Sequence, residues 1–141
     1  MLENIQLNNL NCVTSFNQGG SNSNESIDLF LNNDESGHSM FSKSSKSVKI
    51  DSISLQKFFD ENQIKRCNFL KLDCEGAEYE IIKNLPLEYF QKIDKLVIEY
   101  HMADLHPEFL IELKEILLRQ NFEIETKKLF SDMGFLYAKK I

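Results

Sequence analysis

The stretch Phe69-Leu70-Lys71-Leu72-Asp73-Cys74-Glu75-Gly76-Ala77-Glu78 decides the fold. It is apolar on both faces as far as Leu72, which predicts a strand inside a sheet rather than a half-solvated one. Gly76 ends that strand, and Ala77 to Leu85 reads as a helix. Pro86 stops the helix, because proline lacks an N–H and disfavours helical geometry at the residue before it. The result is a strand–glycine–helix unit, and the unit repeats downstream. Leu96-Val97-Ile98 predicts a second strand ending in Glu99-Tyr100-His101. After Pro107, the residues Phe109, Leu110, Leu113, Ile116 and Leu117 form one apolar helical stripe that ends near Asn121.

Beyond this core the signals change character. Phe122 to Thr126 alternates with period two, and Phe135 to Ala138 closes the chain after an Asp-Met-Gly turn, so the last segment reads as a β-hairpin. Upstream, Val48-Lys49-Ile50 predicts an exposed strand, and Ser54 is placed to cap a short helix carrying Leu55, Phe58 and Phe59. The first third is rich in Asn and Ser. There Leu2 and Ile5 suggest the tail of an amphipathic helix, Cys12 to Phe16 a short strand, Gly19-Gly20 a break and Ile27 to Leu31 another strand. Glu35 to Ser47 reads as a mobile polar loop. Strands alternating with helices before a terminal hairpin predict an α/β sheet with an antiparallel edge. Residues 1–141 thus form one domain, with a weaker part over 1–50 and a strand–helix core over 51–141.

Composition narrows the chemistry. The 141 residues hold 16 Lys and Arg against 22 Asp and Glu, a formal charge of -6, which argues against a nucleic-acid or anionic-membrane footprint. The three cysteines show no C-x-x-C and the three histidines no H-E-x-x-H, so neither a disulfide framework nor a metal site is expected. The opening residues carry no basic and apolar leader pattern, and the expected setting is cytoplasmic. Five glycines, at 19, 20, 37, 76 and 134, supply neither G-x-G-x-x-G nor a phosphate loop.

Ligands of open α/β sheets gather beyond the carboxyl ends of strands, which draws attention to two places. In the first, the two-residue strand period puts Lys71, Asp73 and Glu75 on one side and Leu70, Leu72 and Cys74 on the other. Asp73 or Glu75 could accept hydrogen bonds from a ribose or sugar hydroxyl, or serve as a base; equally, either could cap the following helix. In the second, Glu99 and His101 share a side, an acid beside the residue best suited to move a proton near neutral pH. An ordinary polar strand end is the alternative there. Cys74 with Asp73 and His101 offers a cysteine-nucleophile arrangement, but Cys74 falls on the apolar side, where a thiol is more often packing.

The ordered set of these segments resembles the FkbM family of S-adenosylmethionine-dependent methyltransferases. The most specific piece is K-x-D-x-E-G-x-E, occupied by Lys71, Asp73, Glu75, Gly76 and Glu78; Leu96-Val-Ile-Glu-Tyr-His, Asn121-Phe122 and Leu136-Tyr-Ala follow in order. The resemblance implies a Rossmann-like sheet in the order three, two, one, four, five, seven, six, in which the Gly-rich cofactor loop and the first two strands are absent from this chain. It therefore implies the C-terminal part of such an enzyme, with an exposed strand edge at Leu70 that favours homodimers. It further implies transfer of a methyl group from S-adenosylmethionine to a hydroxyl of a sugar or secondary metabolite. Asp73 and His101 are then the candidate catalytic residues. Glu75, Glu99 and Lys71 would bind the small-molecule or glycan acceptor, and Asn17, Gly19 and Asp73 the cofactor. The alternative is a noncatalytic α/β module that binds a carbohydrate or a partner protein through the same crevice.

Overall fold

A computed structural model of the chain describes residues 2–30 and 47–141. Its centre is β5 (Lys95–Tyr100), whose alternate residues Leu96, Ile98 and Tyr100 are buried. On one side β4 (Leu70–Leu72) runs parallel to it, with Leu70 opposite Leu96 and Leu72 opposite Ile98. Parallel neighbours need a crossover, and here it consists of α3 (Glu78–Lys83) and α4 (Leu87–Phe90). On the other side β7 (Gly134–Lys140) is antiparallel to β5 and pairs with β6 (Phe122–Lys128) in a hairpin. The four strands take the order β4-β5-β7-β6. That order agrees with the last four places of the sheet implied by the family resemblance.

The helix α5 (Pro107–Arg119) has proline in its first turn, as the sequence predicts. It buries Leu113 and Leu117, while Phe109, Leu110 and Ile116 pack more loosely at the edge of the core. Asn121, in the left-handed region at φ 60°, turns the chain from this helix into β6. The core continues through Ile82, Phe90, Ile93, Phe122 and Leu136. α4 was not legible in the sequence: Pro86 ends one helix and immediately caps a further single turn that buries Tyr89 and Phe90.

The remaining elements are α1 (Leu2–Leu7), β1 (Gly19–Ser21), β2 (Ser26–Phe30), β3 (Ser47–Ser54) and α2 (Leu55–Glu61). β3 lies between β1, which is parallel to it, and β2, which is antiparallel, in a separate three-stranded sheet. Ser54 caps α2 as expected, its hydroxyl accepting from the amide of Lys57 at 3.2 Å.

Three expectations are corrected. Residues 13–18 are irregular, and the strand falls instead at Gly19 to Ser21. A Cβ at Gly19 would meet the terminal methyl of Ile50 at 2.8 Å, so a larger residue there would require that side chain to shift. β4 is an edge strand rather than an interior one, and Phe69, just before it, is 58% exposed. Within β4 Leu72 is buried, Leu70 half-buried and Lys71 exposed, and no described strand pairs with its other edge. Finally, Ser47 opens β3; the rest of the loop expected from Glu35 lies outside the described residues, as does Leu31 of the expected second strand.

Candidate functional site

Because β4 and β5 are parallel and in register, their carboxyl ends lie side by side, and the residues that continue them converge. Lys71 Nζ is 2.7 Å from Asp73 Oδ2 and 3.8 Å from Glu99 Oε2, so one ammonium ties the two strand ends together. The hydrogen bond to Asp73, helped by the charges of both carboxylates, holds the Lys71 pKa above its usual value. His101 Nε2 lies 3.7 Å from Glu75 Oε2 and 4.0 Å from Glu99 Oε1. All five side chains singled out at the two strand ends therefore form one network. Ligand atoms of Asp73, Glu99 and His101 fall within 4.8 Å of one another. Lys71 pairs with one oxygen of each of the two carboxylates, so its single positive charge leaves the set net negative.

The turn between β4 and α3 has the least ordinary backbone in the site. Glu75 is left-handed at φ 51° and Gly76 follows at φ 106°. A non-glycine residue in that region costs about 1 kcal/mol or more unless its surroundings hold it. The holding group is Glu78, which has no exposed surface. Its Oε1 accepts from the amide of Cys74 at 2.6 Å and its Oε2 from the amide of Gly76 at 2.9 Å. Ala77, at the N-cap, supplies no side-chain cap, and Glu78 serves the amides of the turn that precedes α3. Its Oε1 is also 3.3 Å from His101 Nδ1. This hydrogen bond is the largest influence raising the His101 pKa; burial opposes it, and Glu75 and Glu99 add to it.

Sequence reasoning counted Glu78 as a member of the motif and as a helix residue, but not as part of the site. The available signal was a carboxylate in the first turn of a helix behind a glycine turn, where unpaired amides attract it. The neighbouring Tyr79 was missed as well: its hydroxyl donates to the His101 carbonyl at 2.6 Å. Cys74 is a poor nucleophile here, since burial, reinforced by the charge of Glu78, pushes its pKa to about 11 and keeps it a thiol.

Asn17 and Gly19 sit apart from this network. Asn17 is exposed on the irregular segment, and Gly19 lies over Ile50 and Ile27. It is Gly20 that faces Cys74, 3.6 Å from its sulfur to where a side chain would begin. Between β1 and β4 a slot of about 200 Å³ is lined by Phe16, Gln18, Gly20, Ser21, Leu72 and Ile81 among others.

Comparison with known proteins adds the decisive observation: residues 1–133 match the family model described as the methyltransferase FkbM domain. The chain belongs to the FkbM methyltransferase family. The strand ends described above are where this FkbM domain gathers its polar side chains. One curated relative, "Methyltransferase 1" of Beauveria bassiana (strain ARSEF 2860), is 40% identical over 53 residues, which is 37% of this chain and 21% of that protein. The chain therefore matches about a fifth of that relative's length. No solved structure matches the chain. Among the described residues of this FkbM domain, no helix is long and apolar enough to cross a membrane.

Proposed function

We propose that this FkbM domain transfers a methyl group from S-adenosylmethionine to a hydroxyl oxygen of a sugar or another secondary metabolite. In this reading the described β4-β5-β7-β6 sheet is the C-terminal side of a Rossmann-like fold. The observation that carries the proposal is the convergence of Asp73, Glu99 and His101 at the adjacent ends of two parallel strands in a chain of a methyltransferase family. Methylating a hydroxyl requires its proton to leave, and an aligned base contributes about 10²- to 10⁴-fold. His101 is the better-placed base, because Asp73 is engaged by Lys71 while Nε2 of His101 faces the crevice between Glu75 and Glu99. Those two carboxylates accept hydrogen bonds from neighbouring acceptor hydroxyls and hold the reacting oxygen in line.

The methyl donor, when bound, supplies an electrophilic methyl group. Asp73 would approach its adenosine end, and on the first-sheet side Gln18 and Gly20 line the slot in place of Asn17 and Gly19. That slot, about 200 Å³ and mostly apolar, is smaller than the roughly 300–1,000 Å³ of sites that enclose a drug-sized ligand. The described residues fit one end of the donor and not the whole of it.

Two measurements test the proposal. Calorimetry of the 141-residue chain with S-adenosylmethionine is expected to show weak binding; micromolar affinity would overturn this account of the donor side. Radiolabelled methyl transfer to a panel of glycan acceptors, with donor in excess, is expected to fall in Asp73→Asn and by about 10²-fold or more in His101→Ala. Unchanged transfer in both variants would remove these residues from the mechanism. Acceptor binding with no transfer under any condition would identify a binding module instead.

A further inference from the structure

Among the described residues, Glu78 is the charged side chain that folding removes completely from solvent. Burying a carboxylate is unfavourable unless hydrogen bonds replace its water. Two backbone amides, those of Cys74 and Gly76, meet its two oxygens. Both oxygens are already acceptors, so the third neighbour, His101 Nδ1, enters as a donor. A neutral imidazole carries one proton, and placing it on Nδ1 leaves the Nε2 lone pair free.

We propose that Glu78 is a positioning residue that fixes His101 as its Nδ1–H tautomer and aims the Nε2 lone pair at the crevice between Glu75 and Glu99. The proposal deepens, and rests on, the reading of His101 as the base for methyl transfer. Consecutive residues of α3 grip both parts of His101: Glu78 holds the ring, and the Tyr79 hydroxyl holds the backbone carbonyl. The same Glu78 carboxylate pins the left-handed turn that carries Glu75 to within 3.7 Å of Nε2. One buried side chain thereby sets the geometry of the base and of one of the carboxylates beside it. Three segments bring carboxylates to the ring, Glu78 from α3, Glu75 from the turn and Glu99 from β5, with Lys71 and Asp73 tied into the same network. The raised His101 pKa agrees with this arrangement, Glu78 being its largest cause.

Nitrogen-15 NMR of the full chain with labelled histidine tests the proposal, with the His101 signals identified by their loss in His101→Ala. Unmodified protein, above its titration midpoint, is expected to show the Nδ1–H tautomer; the Nε2–H tautomer would overturn the proposal. In Glu78→Gln the tautomer preference should weaken and the midpoint fall by about one pH unit, because a charged partner in direct contact is lost. Glu75→Gln should lower it less, and an effect equal to or larger than that of Glu78→Gln would also overturn the assignment. Circular dichroism establishes whether Glu78→Gln folds; if it does not, the tautomer in unmodified protein decides by itself. None of these readings depends on methyl transfer. Correct tautomer and midpoints in a chain that transfers nothing would count against the proposed function alone. Where transfer is measured, its acid limb should move to lower pH in Glu78→Gln, a change that a purely structural role for the side chain would not produce.

Discussion

The two sheets of this protein are held together in different ways. Around β4, β5, β6 and β7 a continuous cluster of aliphatic and aromatic side chains is closed off from water, from Phe59 through Ile98 and Leu117 to Leu136. In the three-stranded sheet and the segments before it, the buried described residues are Ser21, Ser52 and Ile53. There α1 buries nothing, and Leu7 is 73% exposed. The first sheet is held by ladder hydrogen bonds and by polar contacts such as the Ser52 hydroxyl donating to the Ser23 carbonyl at 3.1 Å. Hydrogen bonds each contribute about 1 kcal/mol net, whereas a fully buried leucine contributes about 1.5–3 kcal/mol. The difference explains why the candidate site is built on the second sheet: preorganised side chains need a rigid support.

The sharpest way to break this comparison is a pair of truncations. Leu117→Ala, at a fully buried position of α5, is expected to cost about 2–5 kcal/mol in urea unfolding, and Leu7→Ala less than about 0.5 kcal/mol. Equal losses would show that the apolar residues of the first region are as well supported as those of the second. A smaller effect tests the joint between the regions, since Ser54 ends β3 and caps α2. Ser54→Ala should cost about 1 kcal/mol, and a change within error would mean that the cap is redundant with packing.

Smallest is a pH dependence confined to the second sheet. His101 has a raised pKa in the folded chain, with Glu78 as the largest cause. A group of this kind contributes stability that is fully present below its unfolded pKa of about 6.5 and is lost as pH rises through the folded value. Denaturation of unmodified protein and of His101→Ala should therefore differ more at pH 5.5 than at pH 8.5. The opposite trend would show that burial of the ring, not its carboxylate neighbours, dominates.

Much of the second sheet was readable because its elements are long enough for periodicity to speak. The five apolar residues of α5 repeat with helical spacing, and Phe122 to Thr126 alternates cleanly. The ends of β4 and β5 were readable as candidates, because polar residues follow apolar strands there, but their spacing left helix capping or a plain polar strand end equally open. The first region resisted because its determinants are not periodic. Gly19 and Gly20 look like a chain break, yet they form a strand because β3 offers a parallel ladder to pair with. Residues 12–16 have strand-forming composition but no described partner strand, and strand propensity without a partner yields irregular backbone.

By itself, the amino-acid sequence determined the class of elements in the core, the order of the units and the identity of the polar residues at the strand ends, because spacing and residue type are local properties. Only the tertiary structure decided which of those residues meet. The parallel register of β4 and β5 brings Asp73 to Glu99 and His101, and the left-handed turn at Glu75 and Gly76 closes over Glu78. A buried carboxylate is stable only where several donors arrive together from separate parts of the chain. That convergence, on amides of the turn and on a ring from the next strand, is what makes Glu78 part of the site.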